Sequence, residues 1–363
     1  MRLRHLWLVD FRNFASVELE PAPGLTALVG ANGEGKTNLL EAVAYLAILS
    51  SFRGAPGEAL VRAGSDRAVV RAELDPQGEG RSSTALVEAE LRPAGRDRVL
   101  VNRQPLRRAS DLAGTARVSV FSPDDLALVK GGPAHRRRLV DDLLVASSPR
   151  LAAVQADLER VLRQRGTLLR QAGGRLGADV ATTLDVWDAK MSELGDVLGQ
   201  ARASLVDQLE PLVAKVYDQV AATAAHVGLT YHAPWRVGGL AHALAAARTE
   251  DVRRGVTTVG PHRDDVAFAI AGLAARTHAS QGEQRSLALA LRLGGHQLVA
   301  EASGTPPMLL LDDVFSELDA DRSAALLVHL PMAQAVLTTT GPVPGALAPE
   351  LVVRVRDGRL EPG

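Results

Sequence analysis

The chain has 363 residues, of which 46% are hydrophobic and 23% are charged, so we expect one or two sizeable soluble domains with ample core. A formal net charge of −1 excludes a uniformly basic nucleic-acid-binding molecule, and the absence of cysteine excludes disulfides, thiol nucleophiles and cysteine zinc sites. The first ten residues do not resemble a signal peptide, and no stretch reaches the roughly 20 apolar residues that cross a bilayer. We therefore predict a cytoplasmic protein that makes no membrane contact.

The N-terminal part of the chain predicts strands and turns. We expect strands at residues 3–14, 16–20 and 25–29, followed by a helix over residues 38–46. From residue 66 to residue 121, β-like runs alternate with Gly and Pro turns, which predicts an antiparallel β subdomain. Its clearest strands are at residues 67–74, 84–91 and 98–101.

A glycine-rich loop joins the third predicted strand to the helix. Its sequence is Gly30-Ala31-Asn32-Gly33-Glu34-Gly35-Lys36-Thr37, and Asn38 follows it. It matches the phosphate-binding loop G-x-x-x-x-G-K-[ST], in which backbone N–H groups and a helix N-terminus hold phosphate. Lys36 would reach the β- and γ-phosphates of ATP, and Thr37 would offer its hydroxyl to Mg²⁺. The alternative is an ordinary glycine-rich turn.

The choice of lysine inside this loop favours the phosphate-binding interpretation. Only four of the 41 basic residues in the chain are lysines, and one of them stands here. A planar guanidinium does not replace a compact ammonium at such a site.

A long helical region is predicted from Gly131 to about Arg254. Apolar residues recur every three or four positions on two helices that are separated by Gly173-Gly174, although Arg165 interrupts the first run. The spacing is typical of a short coiled-coil hairpin, and a compact helical bundle is an equal alternative. The seam consists of Leu151, Val154, Leu158, Val161, Leu168, Leu184, Trp187, Met191, Leu194, Leu198, Ala201, Leu205, Leu209, Leu212 and Val216.

The C-terminal part returns to an α/β pattern, so a helical insertion divides one α/β domain. We predict helices at 280–298 and 320–330, strands at 308–311 and 335–340, and a hairpin at 351–360 around Asp357-Gly358. The resulting division is 1–130 and 255–363 for the two parts of the α/β domain and 131–254 for the helical lobe.

Two carboxylates follow the apolar strand Met308-Leu309-Leu310-Leu311. Asp312 stands where a strand-end carboxylate holds Mg²⁺, and Asp313 can orient or deprotonate an attacking water. With Lys36, Asp313 forms the predicted catalytic pair. The alternative is a strand that runs into a capped turn.

Ser280, Gln281 and Gly282 open the next predicted helix. Ser280 and Glu283 form a capping box, and a glycine beside a capped helix N-terminus is also suited to an anion. The two interpretations are compatible, because the cap would satisfy N–H donors that a phosphate later contacts.

The order of these motifs resembles ABC-type ATPases of the Rad50/SMC/RecF branch. The Ser280 segment is similar to their signature, the Asp312 strand to Walker B, and Ser316-Glu317-Leu318-Asp319 to the D-loop. The resemblance implies a P-loop α/β ATPase head, and an ATP-dependent homodimer in which Ser280 and Gly282 contact a γ-phosphate of the other chain.

Further segments resemble the RecF family of DNA repair proteins. The most specific is Thr258-Val259-Gly260-Pro261-His262-Arg263-Asp264-Asp265, and Phe11-Arg12-Asn13-Phe14 and Ser51-Phe52-Arg53 also match. The resemblance implies binding to DNA at gaps or single-strand/duplex junctions and cooperation with RecR, RecO and RecA. It also implies slow, DNA-stimulated ATP hydrolysis that acts as a switch.

Departures from the wider ABC pattern bear on the alternatives. Asp313 stands where transporters and Rad50 have Glu, which predicts slow hydrolysis, and Thr338 to Thr340 stand in place of the transporter switch histidine. A transporter ATPase is further disfavoured by the long insertion, and a Rad50 tether by the missing cysteines and long arms. An ATP-gated DNA clamp or scaffold without the RecA-loading role stays open.

Candidate DNA contacts are few. Arg136, Arg137 and Arg138 form the densest basic cluster, and Arg53 and Arg62 follow the P-loop helix. A solvated helical turn paired with acidic neighbours is an equally good interpretation of the cluster. Because aromatic residues make up only 3% of the chain, we favour contact with the duplex backbone over base stacking. For His262 to Asp265 we favour a structural or nucleotide-sensing role over a nuclease site.

Overall fold

The computed structural model describes residues 2–75, 84–106, 109–112, 115–221, 225–316, 322–324, 326, 333–343, 345 and 347–363. The chain divides into two compact units. The head unit comprises Met1–Leu126, Lys215–Ala224 and Gln281–Gly363, and the lobe unit comprises Ala127–Ala214 and Ala225–Ser280. The predicted domain limits after residues 130 and 254 stay a prediction.

Fifteen strands and eight α-helices lie in the described residues. The strands are β1 Arg2–Phe11, β2 Phe14–Leu19, β3 Leu25–Val29, β4 Ala68–Asp75, β5 Ala85–Leu91, β6 Arg98–Val101, β7 Gln104–Pro105, β8 Val118–Phe121, β9 Val227–His232, β10 Asp265–Ile270, β11 Leu273–Ala274, β12 Met308–Asp312, β13 Ala335–Thr339, β14 Leu351–Arg356 and β15 Arg359–Pro362. The helices are α1 Lys36–Ile48, α2 Leu126–Lys130, α3 Pro133–Ser147, α4 Leu151–Gln171, α5 Ala178–Ala221, α6 Leu240–Arg254, α7 Ala275–His278 and α8 Gln281–Ser303.

An antiparallel sheet with the order β2-β1-β4-β5-β6-β7 confirms the predicted β subdomain and enlarges it. β1 and β2 belong to this sheet, and they turn at Arg12-Asn13 rather than near residue 15. The turn is possible there because Arg12 adopts a left-handed conformation with φ 54. In contrast, Val118–Phe121 leaves the predicted subdomain and pairs with β12 in the other sheet.

A second sheet has the order β15-β14-β3-β13-β12-β8, and all its neighbouring pairs except β14–β15 are parallel. Met308 and Leu310 on one face share a hydrophobic core with Leu39 and Leu40 of α1. On the other face, Ser119 hydrogen-bonds His296 of α8 at 3.0 Å. Helices therefore cover both faces, which is why every residue of β12 is buried and its first four are apolar.

A continuous 44-residue helix, α5, carries the second part of the predicted seam, and its residues as far as Ala214 belong to the lobe unit. Leu184, Met191, Leu198 and Leu205 are all buried on it. α6 also joins this packing, because Leu169 of α4, Leu184 of α5 and Val252 of α6 form one cluster. Three helices thus meet where a two-helix hairpin was predicted, which favours the bundle alternative.

Arg165 is the residue that interrupts the predicted seam, and it is completely buried. Its guanidinium donates to Asp188 of α5 at 2.7 Å and to Asp251 of α6 at 2.8 Å. A third bond reaches the Thr257 hydroxyl at 2.8 Å. The interruption is therefore an ionic core contact that ties three helical segments together.

The lobe unit also contains a three-stranded sheet with the order β11-β10-β9. β9 lies inside the stretch that was predicted to be helical, so that part of the prediction is wrong. Val227, Leu229 and Tyr231 alternate along it and pair with β10, a strand more than thirty residues further along the chain. Local helical propensity is overridden there by this long-range pairing.

The C-terminal hairpin forms as predicted. β14 and β15 are joined at Asp357 (φ 48) and Gly358 (φ 69), which is the left-handed pair that a tight hairpin turn requires. Of the predicted D-loop, residues 317–319 lie outside the described residues, as does most of the predicted helix at 320–330. No helix in the described part of the chain is long and apolar enough to span a membrane.

Candidate functional site

The loop between β3 and α1 has the strand–loop–helix context that its sequence predicts. Gly33 and Gly35 have φ values of 86 and 107, so side chains there would be strained. A Cβ on Gly35 would also lie 2.5 Å from the Asn13 side chain, and one on Gly30 would lie 2.3 Å from the Val355 carbonyl. Conformation therefore requires glycine at Gly33, space requires it at Gly30, and both require it at Gly35.

The N-terminus of α1 is suited to an anion. Within the described chain, no acidic residue stands in its first turn and no side chain caps Gly35. The N–H groups of the first turn and the helix dipole then favour a negatively charged ligand. A phosphate bound there would lie beside the backbone of Ala31, Asn32, Glu34 and Asn38.

The side chain of Lys36 folds back onto the first residues of this loop. Its Nζ donates to the carbonyls of Gly30 and Ala31 at 2.7 Å each. Burial lowers the pKa of Lys36, and the nearby carboxylates of Asp313, Asp312 and Glu34 oppose that shift. Burial is the larger effect, so the pKa of Lys36 stays below its ordinary value despite these carboxylates.

Thr37 and Asp312 are brought together as the sequence predicts for a metal pair. The Thr37 hydroxyl donates to Asp312 Oδ1 at 2.7 Å. Burial raises the pKa of Asp312, while hydrogen bonds from Thr37 and Thr338 and the charge of Arg53 lower it. An oxygen-only pair of this kind suits Mg²⁺, which takes one or two protein oxygens and completes its shell from phosphate and water.

Thr338 belongs to this cluster, although the sequence indicated only that a switch histidine was missing. Its hydroxyl donates to Asp312 Oδ1 at 2.8 Å and accepts from the Asp313 N–H at 2.9 Å. Asp313 itself has a left-handed backbone with φ 47. The signal that could have found Thr338 is its place at the end of β13, next to the strand that carries Asp312.

The P-loop is also held from outside by residues that sequence reasoning missed. Asn13 donates to the Glu34 carbonyl at 2.9 Å and accepts from Asn38 at 2.8 Å. The Asp357 N–H donates to the Glu34 carboxylate, so the C-terminal hairpin turn contacts the loop. These contacts hold the second half of the loop and the start of α1.

The helix that follows the loop is anchored by a buried ion pair. Glu41 has no exposed surface, and Arg12 donates to both its oxygens at 2.8 Å. The Ser51 hydroxyl donates to the same carboxylate. This explains physically why Phe11-Arg12-Asn13-Phe14 and Ser51-Phe52-Arg53 accompany the P-loop in this chain.

The predicted signature opens α8, which begins at Gln281 directly after Ser280. The Arg322 guanidinium covers Gly282, because a Cβ there would lie 2.7 Å from Arg322 Nη2. Arg322 Nε also donates to Ser286 Oγ at 2.9 Å. Sequence reasoning missed Arg322, which follows the D-loop.

In the head unit, α8 and the P-loop helix α1 lie against different strands and on opposite faces of the parallel sheet. α8 lies against β8, three strands from β3 and on the sheet face opposite α1, so a lateral separation of about 14 Å is expected. Arg292 contacts Asp125, just past the end of β8, at 2.9 Å. Gln281, eleven residues before Arg292, therefore projects about 16 Å further beyond that edge.

The structure changes the list of candidate DNA contacts. Arg136 is buried, donates to both oxygens of Asp265 at 2.8 Å and donates to the Gly131 carbonyl, so it has a structural role instead. Arg137 is half-buried and donates to the Asp264 carbonyl at 2.6 Å. Arg138 stays exposed, 3.8 Å from Asp142.

The two other candidates differ in environment. Arg53 is exposed, reaches the Asn38 amide oxygen at 3.4 Å, and lowers the pKa of Asp312, so it faces the nucleotide site. Arg62 is exposed on the same unit, 3.5 Å from Asp10.

The His262–Asp265 segment makes structural contacts. Trp235 donates to Asp264 at 2.7 Å, Tyr231 donates to the same carboxylate, and His262 contacts the Thr257 carbonyl at 3.1 Å. Among the described residues, no group of three or more His, Cys, Asp or Glu side chains could hold a metal ion.

Comparisons with known proteins agree with this geometry. Residues 2–339 match the family model described as the RecF/RecN/SMC N terminal domain. The DNA replication and repair protein RecF of Frankia alni is 46% identical over 93% of each chain, and that of Streptomyces avermitilis is 45% identical over 96% of each chain.

Solved structures give the same result. A structure of the recombination mediator protein RecF with ATP, from the RecFOR pathway, has a TM-score of 0.90 and 27% identity, covering 99% of this chain and 97% of its own. A SmcHead bound to the C-winged helix domain of ScpA has a TM-score of 0.58 at 17% identity and covers 99% and 96%, so it shows a shared fold alone.

Proposed function

The chain belongs to the RecF family within the RecF/RecN/SMC N-terminal domain proteins, and from that membership we propose that it is an ATP-switched DNA repair protein. In this proposal two copies of the chain close around two ATP molecules, bind DNA and open again after slow hydrolysis. The predicted ABC-type ATPase head, with its antiparallel subdomain and helical insertion, is confirmed as the fold.

The residues around the P-loop suit ATP with Mg²⁺. Backbone N–H groups from Gly30 to Asn38 would hold the phosphates, with Lys36 as the cation. Thr37 and Asp312 would hold Mg²⁺, which neutralises phosphate charge when it is bound. Asp313, at the end of β12, would orient the attacking water; its short side chain is the reason that we expect slow turnover.

One observation carries the two-chain proposal: the P-loop helix and the signature helix lie on opposite faces of one sheet, three strands apart. A triphosphate held by Lys36 is therefore distant from Gly282 of the same chain. We therefore propose that the start of α8 contacts the triphosphate of a second copy of the chain. A two-fold pair would use each P-loop with the signature of the other chain.

Complementation tests this geometry directly. Lys36→Met would disable the P-loop and Ser280→Arg would block the signature, so each variant alone should hydrolyse almost no ATP. In an equal mixture, random pairing should restore about a quarter of the wild-type sites, because half of the dimers contain one intact composite site. A mixture no more active than its components would contradict the two-chain site, as would a wild-type chain that sediments as a monomer with a non-hydrolysable ATP analogue.

For DNA we propose contact with the phosphate backbone, at gaps or single-strand/duplex junctions. Arg62 and Arg138 are exposed candidates, whereas the overall charge of −1 limits the surface to a local patch. Affinity for gapped duplex should fall as salt rises, with a slope that decreases by about one for each phosphate-contacting arginine replaced. A flat salt dependence would remove phosphate contact from the proposal.

The repair role itself follows from the family. The RecF relative is described as a recombination mediator of the RecFOR pathway, and we extend that role, with RecR, RecO and RecA as partners and with DNA-stimulated hydrolysis, to this chain. RecA assembly on gapped DNA should accelerate in its presence with ATP. DNA binding without any effect on RecA would favour the alternative of an ATP-gated clamp or scaffold.

A further inference from the structure

Thr338 occupies a position between the two carboxylates that the proposed function uses. Its side chain is 1% exposed. The single hydroxyl hydrogen is given to Asp312 Oδ1 at 2.8 Å, and the hydroxyl oxygen accepts the Asp313 N–H at 2.9 Å. A hydroxyl has one donor and two acceptor positions, so these two bonds together fix its orientation.

The backbone of Asp313 needs such support. With φ 47 it adopts a left-handed conformation that is uncommon outside glycine. Thr338 holds its N–H, and Ser316 donates to its carbonyl through N–H at 3.2 Å and Oγ at 2.8 Å. The direction of the Asp313 carboxylate is set by this backbone turn, and the turn is set by the two hydroxyls.

The same hydroxyl also orders Asp312. Thr37 and Thr338 both donate to Oδ1, which leaves Oδ2 outside both bonds. Thr37 is the residue expected to share its oxygen with Mg²⁺, so Thr338 is the donor to Asp312 that is not itself expected to bind metal or nucleotide. Outer contacts of this kind orient the groups that bind and react.

We propose that Thr338 is a positioning residue for ATP hydrolysis, which acts by holding Asp313 in its left-handed turn and Asp312 in one orientation. This inference rests on the proposed function, because it assumes that Asp313 serves the attacking water. It assigns a role to the position where the chain lacks a switch histidine.

The test compares three variants of the full-length chain. Thr338→Val keeps the shape and removes both hydrogen bonds, and Thr338→Ser keeps the hydroxyl. Thr339→Val removes a buried hydroxyl on the same strand whose hydrogen bonds, among the residues that the structure describes, are to its own turn at Gly341. Thr338→Val should lower kcat about 10- to 100-fold. It should keep the ATP-induced dimer and change KM little, since nucleotide binding is mainly through the P-loop. Thr338→Ser should restore kcat, and Thr339→Val should not lower it.

Two results would overturn the inference. One is a kcat for Thr338→Val within about twofold of that for Thr339→Val. The other is a loss of ATP-induced dimerisation that parallels the loss of kcat, which would indicate a binding role. Thermal melting of all three variants separates either result from misfolding.

Asp313→Asn separates this inference from the proposed function. Asn tolerates the left-handed backbone but cannot act as a base. If Asp313→Asn retains wild-type turnover, the role proposed for Asp313 fails, and the inference fails with it. If Asp313→Asn abolishes turnover while Thr338→Val does not lower it, only the inference fails. In the double variant, Thr338→Val should cause a smaller loss than it causes in the wild-type chain, because one of the two carboxylates through which it acts is already removed; an undiminished further loss would contradict the inference.

Discussion

Low pH should destabilise the fold at the signature helix α8, because one buried histidine there is neutral in the folded protein. His296 of α8 is 2% exposed, and its Nδ1 lies 3.0 Å from Ser119 Oγ on β8. Its Nε2 finds no hydrogen-bond partner among the described residues. Burial lowers the pKa of His296 from 6.5 to about 4. The folded protein therefore keeps this imidazole neutral over a range in which the unfolded chain would protonate it.

The size of the effect follows from that difference in pKa. A change from 6.5 to about 4 corresponds to about 3.4 kcal/mol, at 1.36 kcal/mol for each unit. Because the folded pKa is lowered, the unfolded state binds more protons below pH 6.5, and stability falls as the pH falls from about 6.5 to about 4. At about pH 4.5 the loss from this residue alone should be about 2.5 kcal/mol.

Urea unfolding of the wild-type chain and of His296→Gln measures this contribution. Glutamine is neutral at every pH and retains an amide that can reach Ser119, so its stability should lack this acid-dependent component. The stability difference between the two proteins should move in favour of the variant by about 2.5 kcal/mol between pH 7.5 and about pH 4.5. His278→Gln, at an exposed position, controls for the change of residue type. Parallel pH profiles for wild type and His296→Gln would refute the reasoning.

Two further substitutions test the lobe and the loop. Arg165→Met should lower the free energy of unfolding by about 3–5 kcal/mol, because it removes the cation that pairs with the fully buried Asp251; Arg160→Met, exposed on the same helix, should change it by less than about 0.5 kcal/mol in chemical denaturation. Gly35→Ala should abolish ATP binding in a calorimetric titration, since its Cβ would clash with Asn13. Gly54→Ala, at a φ of 73 with open space around it, should retain ATP binding. Equal loss of ATP binding in Gly35→Ala and Gly54→Ala would show that backbone strain, and not the clash with Asn13, is responsible.

The sequence was sufficient where local chemistry dictates local geometry. The P-loop forms between a strand and a helix because its glycines permit backbone conformations that other residues avoid. The Lys36 side chain then folds back onto the loop and donates to the Gly30 carbonyl. The Asp357-Gly358 turn was predictable for the same reason. The pairing of Thr37 with Asp312 could also be expected, because the carboxyl ends of β3 and β12 meet the same edge of a parallel sheet.

Partners that are far apart in sequence could not be predicted. Arg165 interrupts an apolar seam, and nothing nearby shows that its counter-ions are 23 and 86 residues further along. Arg136 has the local context of a nucleic-acid contact, yet its partner Asp265 is 129 residues away. A basic residue gives the same sequence signal whether it is solvated or buried, and only the tertiary structure distinguishes the two.

The contacts around the P-loop bear on why ATP would act as a switch. Asn13, Asn38 and the Asp357 turn already fix the loop through Glu34 and its neighbours. Because the loop is already ordered, little conformational entropy is lost when phosphate binds. More of the favourable binding free energy of the triphosphate can then contribute to association with a second chain. In the proposed dimer, the start of α8 from the second chain would contact that triphosphate. The short side chain of Asp313 would make hydrolysis slow. Under the proposed function, the dimer would therefore form readily with ATP and persist until hydrolysis. Such behaviour is expected of a clamp that stays on DNA for a limited time, rather than of a continuously cycling motor.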